Sequence, residues 1–110
     1  MIYALNLFNF VAGKEEMYRR YNAKASKIVY RLGGRLVCAG NKPVKYLTGD
    51  IKRDQLIIVE FPSPEVFEQF HAEAEKQGLH QLREASTCDY IWILFEPWSN
   101  LSEWIKGYKD

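Results

Sequence analysis

The sequence predicts an α+β domain of the ferredoxin-like kind: strand, helix, strand, strand, helix, strand, folded as a four-stranded antiparallel sheet with both helices on one face. Three observations lead there. Glycines and prolines cut the chain into six segments of strand or helix length. Two of these segments carry apolar residues at helical spacing. The other four are short and apolar on both faces, as strands buried from two sides would be.

Ile2 to Val11 is apolar and too short for an ordinary helix, so it reads as the first strand; Gly13 ends it. From Lys14 to Leu32, Met17, Tyr18, Tyr21, Ala25, Ile28, Val29 and Leu32 recur at helical spacing, with basic and acidic residues between them. Gly33 and Gly34 stop that helix by accepting a left-handed cap. Arg35 to Ala39 is the second strand, and "GNKPVKYLTGD" is expected to continue it after an interruption at Pro43. Gly49 to Asp54 is a polar turn. Gln55 to Phe61 is the third strand. Ser63 then caps the second helix and Pro64 takes its first position. Val66, Phe67, Phe70 and Ala74 line one face, Gly78 interrupts, and Leu79 to Ala85 adds a further turn or two. Thr87 to Glu96 is the fourth strand, closed by Pro97.

The strands make a second prediction. In the first, Tyr3, Leu5 and Leu7 oppose Ile2, Ala4, Phe8 and Phe10; in the fourth, Tyr90, Trp92 and Leu94 oppose Ile91, Ile93 and Phe95. Two helices cover one sheet face only. The other would be an apolar surface too large for a monomer, so a homodimer joined through its sheet faces is expected. Residues 1–96 form the domain, and residues 97–110 form a helical tail packed on the dimer. In the tail, Asn100 and Glu103 suggest a capping box, and Leu101, Trp104, Ile105 and Tyr108 form an apolar stripe. Whether that stripe docks on its own subunit or across the dimer stays open.

Net charge is +1, with 26% charged residues and no basic run, which argues against nucleic acid as a partner. No apolar run reaches the ~20 residues that span a bilayer, so no membrane partner is expected. "MIYALNLFNFV" lacks a basic leader and reads as strand rather than signal peptide. Cys38 and Cys88 lie in strand-like runs and are expected to be buried, reduced thiols of a cytoplasmic protein. Nucleotide-binding glycine loops, C-x-x-C and nucleophile elbows are all absent.

"VEFPSPEVFEQF", followed by "KQGLHQLREAS", resembles a small bacterial family of unassigned function within the dimeric α/β-barrel superfamily. The matching positions are Glu60, Phe61, Pro62 and Ser63, then Gln77, Leu79, Leu82 and Arg83; the family's tyrosine before that glutamine is Lys76 here. The resemblance spans residues 1–96. It implies a ferredoxin-like dimer and leaves the chemistry open, since the superfamily includes monooxygenases, isomerases and haem-degrading enzymes. Asn6, Phe70 and His80 are similar in placement to the asparagine, aromatic and iron-ligating histidine of haem-degrading monooxygenases, although Phe70 stands where that family has tryptophan.

Several residues are candidates for a site. Asn6 interrupts an apolar strand, where a buried amide must either bond its neighbours or face a ligand. His71 and His80 are the proton-transfer candidates. Tyr18, Tyr21 and Phe70 would line a ligand cavity. Arg83 either pairs with Glu60 or Glu84 or anchors an anionic group. His71 and Glu75 share a helix face, but two ligands are too few for a metal, so no metal and no cofactor are expected. The leading expectation is a small, partly hydrophobic ligand bound between sheet and helices, with oxygenation or isomerisation that needs no nucleotide. Haem held by His80 and Phe70 is one alternative. A non-catalytic interaction protein is the other.

Overall fold

The computed structural model describes residues 1–109. The element order is β1 (Ile2–Phe10), α1 (Glu15–Arg31), β2 (Arg35–Asn41), β3 (Gln55–Phe61), α2 (Pro64–Lys76), α3 (Leu79–Ser86), β4 (Thr87–Phe95) and α4 (Leu101–Lys106). The strands form one antiparallel sheet in the order β2-β3-β1-β4. Each helical crossover skips one strand, which is the ferredoxin-like arrangement.

Local chemistry sets the boundaries. Gly13 and Gly33 adopt positive φ on either side of α1. At its C-terminus the Gly34 N–H donates to the Val29 carbonyl and the Gly33 N–H to that of Tyr30, the paired bonds of a Schellman stop. Gly34 also permits close packing: a Cβ there would lie 2.8 Å from the Glu60 carbonyl oxygen. The Ser63 hydroxyl accepts from the Val66 N–H at 3.1 Å and caps α2, with Pro64 in the first turn. Gly78, at φ 72°, separates α2 from α3 and redirects the chain.

The core lies between the helices and one sheet face. Along β1, Ile2, Ala4, Asn6 and Phe8 are buried in strict alternation. They pack with Tyr21, Ala25, Ile28 and Val29 of α1, Phe67, Phe70 and Ala74 of α2, and Leu79 of α3. The pairing register puts Tyr3, Leu5 and Leu7 on the opposite face beside Ile58, Leu56, Ile91, Ile93 and Phe95. Among the described residues no helix covers that face, and Ile93 and Phe95 are exposed.

Some expectations need correction. The second strand does not resume after Pro43. Its ladder closes at Asn41 opposite Gln55, and Lys42 turns to φ 65°. A proline cannot rejoin the ladder. Residues 42–54 instead form an exposed loop, tied down where Asn9 Oδ1 accepts from the Asp54 N–H and Asn9 Nδ2 donates to the Lys52 carbonyl. Cys38 and Cys88 are exposed rather than buried, because β2 is an edge strand and Cys88 sits beside a bulge at the start of β4. The Asn100 side chain does not cap α4, so the capping box is not formed. The tail helix is six residues long and wholly exposed; Trp98 and Trp104 touch each other, with ring centroids 5.3 Å apart. No helix is long and apolar enough to cross a membrane among the described residues.

Candidate functional site

A cavity of about 150 Å3 opens between α1 and the sheet. The alternation of β1 aims Asn6 into it, and the register places Ile57 and Trp92 on either side of Asn6. Helical spacing on α1 brings Tyr18, Tyr21 and Ala25 down from above; Phe70 of α2 and Tyr90 of β4 close the ends. The lining is mainly carbon, with a few convergent polar groups, as small-molecule sites generally are.

Asn6 has its amide largely committed. Its Nδ2 donates to the Ile57 carbonyl at 3.2 Å and to the Ala4 carbonyl at 3.3 Å, and its Oδ1 accepts from the Tyr90 hydroxyl. Neighbouring backbone therefore satisfies the amide, and the amide in turn orients the Tyr90 phenol. Tyr90 stacks on Phe8 with centroids 4.9 Å apart. Burial pushes the Tyr18 and Tyr90 phenols well above the usual tyrosine range and raises that of Tyr21. All three are thus neutral hydroxyls at physiological pH, able to donate a hydrogen bond and poor as bases.

Behind this aromatic wall stands Arg83. Its guanidinium lies 4.7 Å from the Tyr90 ring centroid and 4.8 Å from that of Trp92. The residue is buried, and its Nε has no hydrogen-bond partner. Of its two proposed partners, Glu84 is 3.7 Å away and exposed, while Glu60 pairs with Arg35 at 2.7 Å. Helix α3 turns Arg83 inward, against the sheet. The two aromatic faces hold the cation by quadrupole attraction. Its charge reaches the cavity, drawing the three phenols down against the larger upward effect of burial.

The histidines lie elsewhere. His71 and His80 are in contact, with ring centroids 4.2 Å apart, and His71 packs 5.9 Å from Trp92. Neither lines the cavity. His80 Nε2 donates to the His71 carbonyl at 3.0 Å, while its Nδ1 is buried without a partner. Burial, with help from His71 and Arg83, holds His80 below the usual histidine range. Glu75 completes a local group: one ligand atom from each of His71, Glu75 and His80 lies within 4.8 Å of the others.

The fold therefore gathers Asn6, Tyr18, Tyr21 and Phe70 in one cavity, sets Arg83 behind its wall, and leaves His71 and His80 outside. The haem constellation is not assembled, since His80 is absent from the cavity that Asn6 and Phe70 share. The volume is also far below the roughly 300 Å3 where drug-sized sites begin. Sequence reasoning missed Tyr90 and Trp92 as cavity residues. The available signal was their shared parity on β4, two residues apart on one face. It also missed the third donor beside His71 and Glu75, because His80 returns to them only through the left-handed turn at Gly78.

A family profile described as "Domain of unknown function (DUF1330)" matches residues 3–96. Among solved structures, the chain is similar to a protein of unknown function from Rhodopseudomonas palustris: 24% identity, 87% of this chain and 81% of that one, TM-score 0.75. It is also similar to SnoaB, a cofactor-independent oxygenase from Streptomyces nogalater: 14% identity, 87% and 91% coverage, TM-score 0.57. An uncharacterised NIPSNAP-like domain protein from Burkholderia xenovorans matches at 10% identity, 89% and 85% coverage, TM-score 0.54. These likenesses carry the fold. No curated protein matches the chain.

Proposed function

The chain belongs to the DUF1330 family, and on that footing we propose that it binds a small planar ligand bearing an anionic or enolisable oxygen, in the cavity between α1 and the sheet. The observation that carries this reading is Arg83: a buried cation whose ion-pair partner, Glu84, is exposed and 3.7 Å away, held against the outer side of the Tyr90–Trp92 wall. A positive charge in low dielectric attracts an anion far more strongly than one in water. Tyr18 and Tyr21 add neutral hydroxyls that can donate to the same oxygen, while the Tyr90 hydroxyl stays committed to Asn6 Oδ1. The volume suits a single ring, since a cavity of about 150 Å3 accommodates benzene. In the same proposal the open sheet face is the homodimer interface.

A second reading builds on the first. Cofactor-independent oxygenation requires a substrate that supplies its own electrons to O2, most readily as an anion. A buried cation beside the cavity favours that anion, and the fold shared with SnoaB is compatible with the idea. One oxygen atom would enter the substrate as a carbonyl, replacing two C–H hydrogens, and the other would leave as water. No carboxylate or imidazole lines the cavity, so this chemistry needs a substrate that is already acidic.

Thermal shift with benzoate and benzamide tests the binding reading. Native-state binding raises the midpoint. Benzoate is expected to stabilise the protein more than its uncharged analogue. Arg83→Met, which keeps the aliphatic stem, should erase the difference. Equal or absent stabilisation by both probes at millimolar concentration would overturn the proposal. Oxygen uptake with an enolisable aryl ketone separates binding from turnover.

A further inference from the structure

We propose that His71, Glu75 and His80 form a binding site for a divalent transition ion of the zinc class, distinct from the cavity and independent of the reading above. Their side chains come from two helices. His71 and Glu75 sit four residues apart on one face of α2, and Gly78 swings His80 of α3 back beside them. Two imidazoles and one carboxylate are a recognised donor set for zinc sites that keep an open position. Imidazole nitrogen also selects zinc, copper and nickel over the harder calcium and magnesium.

Two observations support the site. The first is the His80 tautomer. A carbonyl can only accept, so the bond from His80 Nε2 to the His71 carbonyl at 3.0 Å places the proton on Nε2. A lone pair then remains on Nδ1, which is buried and has no partner. Metal-bound histidines are characteristically oriented in this way, with one nitrogen donating to a carbonyl and the other free to coordinate. The second is spacing. Tetrahedral zinc with bonds of about 2.0–2.1 Å holds its donors about 3.4 Å apart. Here one ligand atom from each of the three side chains lies within 4.8 Å of the others. Glu75 is exposed, so its carboxylate is free to change rotamer toward the imidazoles without moving backbone.

The surrounding charge sets the strength. Arg83 faces this group from α3 and opposes a second cation. Glu75 offsets it, and Glu84 lies 3.7 Å from Arg83. With one carboxylate among three ligands, the fourth position would hold water or a small anion. Micromolar affinity is the expected range, well short of a structural four-ligand zinc site.

The test uses the full chain with Cys38→Ser and Cys88→Ser, because both thiols are exposed and would bind soft metals themselves. Zn2+ is titrated by calorimetry and Co2+ by visible absorption, with Mg2+ as the hard-ion control. One zinc per chain is expected, together with Co2+ bands typical of low coordination number and no heat from Mg2+. Glu75→Gln changes an exposed helix position, so the fold is retained, and it should weaken Zn2+ binding by at least an order of magnitude. His80→Gln should abolish the Co2+ bands. Absence of stoichiometric binding at about 100 μM Zn2+, or binding that survives both substitutions unchanged, overturns the site.

Discussion

Burial gives the cavity's phenols an alkaline signature. Tyr18, Tyr21 and Tyr90 are pushed up from the ordinary tyrosine value, so the folded protein keeps its protons where the unfolded chain releases them. Above pH ~10 the unfolded state binds fewer protons than the native one, and stability falls as pH rises. That contribution is complete below the unfolded value and is lost between it and the higher folded values. An absorbance titration should therefore show at least three of the seven tyrosines resisting ionisation until the protein unfolds, with the urea midpoint dropping above pH ~10. Seven phenolates appearing together with the fold intact would contradict the packing. The parity of Asn6 in an apolar strand was enough to mark it as inward and polar. Its partner was not legible, because the bond to Tyr90 joins residues 84 positions apart in sequence. Arg83 shows a different limit. In the sequence its neighbour Glu84 offers it an ordinary exposed ion pair. The pull of two aromatic faces on β4 turned it inward instead, and no local pattern records that.

At the scale of elements, the caps were the clearest text. Ser63 and Pro64 open α2 at the positions the sequence assigns them, and the paired glycines stop α1. Ser63→Ala removes the acceptor for the Val66 N–H, and chemical denaturation should register a loss of about 1 kcal/mol with an unchanged m-value. A loss below a few tenths would mean that water serves the amide equally well. The tail and the connection after β2 read less faithfully. Both contain residues that look strand-like or helical in isolation. Pro43 denies one the ladder that would hold it. The other reaches only six residues, too few for a helix to persist without a surface to lie on. The two-histidine group belongs here as well. Its donors are legible singly, but their meeting depends on one glycine's φ angle, which composition does not encode.

For the whole molecule, the open sheet face decides behaviour. Leu5, Leu7, Leu56, Ile58, Ile91, Ile93 and Phe95 share it by register, and no helix lies over it among the described residues. The shape fits the same view. The radius of gyration is 16.0 Å, against about 13 Å for a compact domain of this length. The excess comes with a loop and a tail that leave from opposite ends of the sheet. Light scattering is expected to give twice the chain mass at micromolar concentration. Ile93→Lys puts a charge on the exposed apolar face at edge strand β4 and should shift the protein to monomer while leaving its far-UV spectrum intact. A wild-type monomer would sink the dimer proposal. The apolar doubling of every strand made this face visible in the sequence alone, whereas its geometry had to await the register. The loop carries a further consequence for the cell. Val44 and Leu47 stand almost fully in solvent, so even a folded copy holds out a sticky finger. Synthesis that outruns pairing would then yield clumps seeded at residues 42–54, and folding helpers that grip greasy peptides should be found holding that finger first.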